Sequence, residues 1–171
     1  MTNNKSKNKK TCIFCEIGKG NIKPLGEAVI FEDANYLAWL SPFPNTEGFS
    51  VVIPKKHYES DVLKMPDKKL QEFILVAKKV SRLLMNYFED VGRVGLIMEG
   101  TGIDHAHIKL FPMHGTGYME KGEWKQSHSN NDKYFKKYEG YISSHDGPKT
   151  NFKKLQKMAE EIRGNKQRQE N

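Results

Sequence analysis

Asp104-His105-Ala106-His107-Ile108-Lys109-Leu110-Phe111-Pro112 alternates nitrogen-bearing side chains with small or branched apolar ones. Extended chain sends successive side chains to opposite faces, so a strand over Ala106–Pro112 places His105, His107 and Lys109 on one side. Ala106, Ile108 and Leu110 then face a core. Two imidazoles and an ammonium on one surface suit attack on phosphorus and neutralisation of phosphate oxygens, or they line an ordinary solvent-facing strand.

The neighbouring segments extend this strand into a sheet. Val94–Met98 reads as a partner, joined through Glu99-Gly100-Thr101-Gly102, whose glycines permit a tight turn. Further back, Ala28–Asp33, Tyr36–Leu40 and Phe49–Pro54 are short apolar stretches separated by turns, which predicts an antiparallel meander. Between the two groups, Leu70, Phe73, Ile74, Ala77, Val80, Leu84 and Tyr87 recur at three- and four-residue spacing. One long amphipathic helix over Pro66–Phe88 follows. The order of elements predicts an α+β fold, with about five antiparallel strands and helices on one side.

The ends divide from this core. Residues 1–11 are polar and basic without apolar periodicity, and read as a disordered arm. The domain core spans 12–113. Residues 114–171 form an extension packed on the same domain, with an extended loop and a final helix capped by Thr150 that places Leu155, Met158, Ala159 and Ile162 on one face.

The chain of 171 residues carries a net charge of +7, partly from terminal lysines and arginines such as Lys5, Lys7, Lys9, Lys10, Arg163 and Arg168. A basic balance favours polyanionic partners, both phosphate esters and nucleic acid. Without an apolar run long enough for a membrane span or an export signal, a cytoplasmic protein is expected. Cys12 and Cys15, three positions apart, then suit a metal or redox pair better than a structural disulfide. His57 follows after 41 residues and His105 after 47 more. Two thiolates and two imidazoles suit tetrahedral zinc, but the gaps are too long for a zinc finger, and spacing alone does not join the pairs.

Several motifs in one order supply that join. Cys12-Ile13-Phe14-Cys15-Glu16-Ile17, Leu37-Ala38-Trp39-Leu40, Val51-Val52-Ile53-Pro54-Lys55-Lys56-His57 and the HxHxK strand together resemble the histidine triad proteins, over Cys12 to about Pro112. The resemblance implies a small α+β sheet that pairs with a second subunit into a continuous dimeric sheet. It implies that the middle triad histidine, here His107, attacks the α-phosphorus of a nucleotide and becomes nucleotidylated. Zinc-bearing branches, and the related galactose-1-phosphate uridylyltransferase, use positions matching Cys12, Cys15, His57 and His105. The resemblance thus implies one structural zinc per chain. Its closed four-ligand site would leave no open position for water and would hold the active strand in place.

The resemblance also assigns the base slot to Ile13, Phe14, Ile22 and Trp39, each of which reads equally well as plain core. An aromatic face at Trp39 can stack on a base. Ser41 stands where relatives carry a carboxylate for the ribose, and Met98 and Phe49 depart from frequent Asn and His. Lys109 replaces the third histidine and serves as a fixed cation at the phosphate, although its ordinary pKa of about 10.4 makes it a poor proton relay near neutrality. The expected activity is cleavage of a dinucleoside polyphosphate or nucleoside phosphoramidate by a homodimeric hydrolase or transferase. The alternative is a zinc-stabilised, non-enzymatic nucleotide or nucleic-acid binder.

Overall fold

The computed structural model describes residues 11–125, 134–142, 151–153, 156 and 158. Five strands form one antiparallel sheet: β1 Val29–Glu32, β2 Tyr36–Leu40, β3 Ser50–Pro54, β4 Val94–Ile97 and β5 Ile108–Pro112. Their spatial order is β1-β2-β3-β5-β4, so the meander of the first three strands is joined on its open side by the β4–β5 hairpin.

Helix α2, Asp67–Tyr87, lies across one face, between the meander and the hairpin in sequence. Phe73, Val76, Ala77, Val80 and Leu84 turn inward onto Ala38, Val52, Ala106, Ile108 and Leu110. The expected helix is present, but its inward stripe differs from the spacing pattern. Ile74 and Tyr87 are exposed, and Val76 is buried instead. At 100° per residue Val76 falls on the side of Phe73 where Val80 also lies, whereas Ile74 lies off the opposite flank of the stripe, beyond Ala77.

The other face carries α1, Ile13–Gly18, a short helix without apolar periodicity of its own. Ile17 enters a second cluster with Leu37, Trp39 and Ile53, with Phe14 and Val51 packed against it. The expectation of helices on one side therefore needs correction: the sheet is covered by α2 on one face and by α1 on the other. A six-residue helix is too short to show a period, so only the tertiary contact reveals it. Gly18 permits the close approach, since a Cβ there would come within 2.9 Å of the Lys55 Cα at the end of β3.

The strand expected from Ala106 begins instead at Ile108. The β3–β5 ladder pairs Ser50 with Leu110, Val51 with Lys109 and Val52 with Ile108, and ends short of Pro54. Proline has no N–H to continue a ladder. Ala106 donates its amide to the Tyr58 carbonyl at 2.8 Å instead, yet the side-chain alternation persists through it. Gly100, in the β4–β5 connection, has a φ of 65° and would bring a Cβ within 2.8 Å of the Ser60 carbonyl oxygen.

Beyond β5 a 3-10 turn spans Gly117–Lys121. One compact unit ends at Lys125, and a second comprises Gln126–Asn171. In the second, Phe152, Lys153, Gln156 and Met158 are helical, while Thr150, Leu155, Ala159 and Ile162 of the expected final helix and the arm at 1–10 lie outside the described residues.

Candidate functional site

The lead-in to β5 passes between α1 and the end of β3, and this crossing assembles the four candidate ligands. Cys12 and Cys15 come from the start of α1, His57 from the turn after β3, and His105 from the approach to β5. Their ligating atoms all lie within 4.8 Å of one another. Cys12 Sγ is 3.4 Å from His105 Nδ1, Cys15 Sγ is 3.5 Å from the same nitrogen, and Cys15 Sγ is 3.4 Å from His57 Nδ1. Metal–ligand bonds of about 2.0–2.3 Å in a tetrahedron require ligand separations of about 3.3–3.8 Å. The four groups are positioned to bind a metal ion, and two thiols with two imidazoles match zinc.

The surroundings favour that use of each donor. His105 is fully buried, and its Nε2 donates to the Pro54 carbonyl at 2.8 Å, which leaves Nδ1 as the ligating nitrogen. Burial lowers its pKa and favours the neutral ring that a metal needs. Burial, then the adjacent Cys12, push the Cys15 thiol up to about 11. A dication between the sulfurs reverses that balance by stabilising both thiolates.

His107 sits one strand step beyond this centre. It is buried, and its Nδ1 is 2.8 Å from the carbonyl oxygen of His105. A carbonyl accepts only, so Nδ1 carries a proton, and in the neutral ring the lone pair is then on Nε2. The Phe14 ring stands edge-on to His107 at 5.8 Å, to His105 at 5.8 Å and to Trp39 at 5.4 Å. This aromatic contact links α1 to both histidines. The alternation of the HxHxK segment is kept, but its histidine side is enclosed and not open to solvent.

The remaining candidates are placed unequally. Trp39 is only 5% exposed and lies in the core cluster with Ile17 and Ile53, while Ile13 and Ile22 are 46% and 39% exposed. Ile22 lines an open groove of about 310 Å³ together with Ile17, Leu37 and Glu32. The Ser41 hydroxyl accepts the Phe43 amide at 3.2 Å in the β2–β3 turn. Lys109 pairs across the sheet with Val51 and Ile97 and makes an ion pair with Glu99. Glu99 was not anticipated as a participant, because as one acid in a glycine-bearing turn it has no periodicity to mark it.

No helix among the described residues is long and apolar enough to cross a membrane.

Comparison with known proteins places these features in a family. The HIT domain matches residues 24–115, a span that contains His57, His105, His107 and Lys109 and begins after the two cysteines. A HIT-like protein of Methanocaldococcus jannaschii is 37% identical over 123 residues, covering 67% of this chain and 89% of that one. An adenosine 5'-monophosphoramidase of Schizosaccharomyces pombe is 30% identical over 106 residues, covering 60% of this chain and 74% of that one. The crystal structure of a HIT family member from Bacillus subtilis superimposes with a TM-score of 0.58 at 25% identity, covering 91% of this chain and 97% of that chain. On the extent of the domain match and the shared sheet, the chain belongs to the HIT family.

Proposed function

We propose that this chain is a nucleotidyl hydrolase or transferase that works through a covalent nucleotide on His107, in a zinc-containing branch of the family with lysine at the third triad position. The observation that carries the reading is the His107 Nδ1 bond to the His105 carbonyl, which makes Nε2 the nucleophilic nitrogen of the neutral ring. Nε2 forms a bond to the α-phosphorus, the bond from phosphorus to the departing amine or phosphate breaks with its electron pair, and that group takes up a proton. Water, or a second acceptor, then attacks phosphorus, and the nitrogen–phosphorus electron pair returns to Nε2.

Similarity to the fission-yeast monophosphoramidase favours a nucleoside phosphoramidate, with dinucleoside polyphosphates as the other candidate class. In this reading Cys12, Cys15, His57 and His105 hold one structural zinc, whose role is to fix the approach to β5. Ile13, Phe14, Ile22, Trp39 and Ser41 surround the nucleoside. The buried Trp39 acts by supporting Phe14, and the partly exposed Ile13 and Ile22 meet the base. Edge strand β4, with Leu96 exposed, offers the pairing edge for a homodimeric sheet.

A second reading, a non-enzymatic nucleotide binder, is favoured by Lys109 being engaged by Glu99 and Ser41 by a backbone amide. Intact-mass spectrometry after brief mixing with adenosine phosphoramidate and a diadenosine polyphosphate separates the two. The enzyme reading requires a nucleotidyl adduct in the parent that is absent in His107→Ala. Nucleotide binding without any adduct selects the second reading.

A further inference from the structure

Lys109 is already committed in the resting site. Its ammonium makes an ion pair with Glu99, and the two side chains are only 26% and 11% exposed. The pair sits at the loop end of the β4–β5 hairpin: Ile97 lies opposite Lys109, and Glu99 follows two residues later, where β4 has ended. From the other side β3 presents the apolar Val51. Apolar neighbours on both flanks remove water, and this burial draws the Lys109 pKa below the ordinary lysine value. Along its own strand the nearest titratable group on the same face is His107, two residues away.

We propose that Glu99 is an internal competitor for Lys109, so that a phosphate bound on the His107 face must take the ammonium over from the carboxylate, and Glu99 thereby sets the phosphate affinity of the site. The inference rests on that face being the nucleotide site. Its physical basis is that two anions in a poorly hydrated space repel each other and compete for one cation. Glu99 is a positioning residue in this scheme, because it acts through Lys109. Glutamine in its place keeps the size and an accepting oxygen but removes the repelling charge.

The test is calorimetric titration of adenosine 5'-monophosphate, and of adenosine as the uncharged control, into the parent, Glu99→Gln, Glu99→Asp and the double variant Glu99→Gln/Lys109→Gln. Freed from its carboxylate, Lys109 should make a charge-assisted bond to phosphate, so Glu99→Gln should bind the monophosphate about tenfold more tightly. Adenosine affinity should not change, Glu99→Asp should stay near the parent, and the gain should vanish in the double variant. The alkaline loss of monophosphate affinity should also begin at lower pH in Glu99→Gln, since the buried ammonium no longer has a counter-ion to keep it charged.

Unchanged or weaker monophosphate binding in Glu99→Gln, with adenosine still bound, overturns the proposal alone. So does a gain that survives without Lys109. A parent that binds neither ligand and forms no adduct on His107 overturns the proposal together with the nucleotide reading of that face.

Discussion

His105 donates from Nε2 to the carbonyl oxygen of Pro54, 2.8 Å away, and this bond decides which ring nitrogen faces Cys12 and Cys15. The carbonyl is free for it because the β3–β5 ladder has already ended before the proline. The candidate metal site is thus tied to the end of one strand and the start of another.

Metal analysis of the purified chain should therefore find about one zinc per molecule, released by strong chelators or by acid, since ligation needs thiolates and neutral imidazoles. Cys12→Ser should lower bound zinc well below stoichiometric and reduce the melting temperature. Full zinc content and an unchanged melting curve in that variant would exclude Cys12 as a ligand.

Gly18→Ala tests whether close contact between α1 and β3 sets the ligand geometry. The added methyl would meet the Lys55 backbone at 2.9 Å, and backbone cannot rotate away. Relief by shifting α1 would displace Cys12 and Cys15 from His57 and His105. Overpacking of this kind costs about 1–3 kcal/mol, and zinc should also be held less tightly. Chemical denaturation together with a competitive zinc chelator measures both effects; parent-like values in each would show that α1 accommodates a side chain there.

The third triad position is open to a kinetic test. Lys109→Gln removes the cation and should slow turnover roughly ten- to a hundredfold, with substrate binding less affected. Lys109→His supplies a group with an ordinary pKa of about 6.5, able to give a proton near neutrality. It should cleave phosphoramidates at least as fast as the parent. Single-turnover formation and decay of the adduct in all three proteins provides the measurement, and a Lys109→Gln enzyme equal to the parent in both steps would remove Lys109 from the mechanism.

His114 predicts a pH dependence of stability remote from the candidate metal site. Its Nδ1 lies 3.1 Å from Asp90 and its Nε2 3.1 Å from the Glu47 carbonyl, so only the doubly protonated ring donates to both. The Glu47 carbonyl bond and then Asp90 raise its pKa, while the Gly115 amide and then His114 lower that of Asp90. The histidine contribution is fully present below the unfolded value of about 6.5 and is lost as pH rises through the higher folded value. That of Asp90 is present above its unfolded value of about 3.9 and is lost as pH falls through the lower folded one. The melting-temperature difference between the parent and His114→Gln should therefore shrink between neutral and alkaline pH. A difference that stays constant across that range would assign His114 a purely packing role.

Much of the architecture was legible from local patterns. Alternation in the segment from Ala106 to Leu110 fixed which side chains enter the core, since a strand has a period of two and admits no other division once one face is apolar. The Phe73–Leu84 stripe similarly specified α2, because its apolar residues can share a face only on a helix. The assignment of Ile74 failed because it lies off the flank of the buried stripe, and that of Tyr87, the last residue of α2, because helical spacing gives the direction of a side chain but does not show where the underlying packing ends.

Tertiary structure decided the site. In the sequence Cys12, Cys15, His57 and His105 are separated by gaps that spacing rules do not interpret, and the start of α1, the turn after β3 and the approach to β5 together bring their ligating atoms within 4.8 Å of one another. The protonated nitrogen of His107 depends on a carbonyl whose position the backbone sets, and the ion pair of Lys109 with Glu99 depends on the hairpin that brings them together. The sequence alone determined which groups could act as ligand, nucleophile or cation, because those are properties of side-chain chemistry. Which of them meet, and in what protonation state, was left to the fold, because tautomers and ion pairs are fixed by distances and burial that only the packed chain provides.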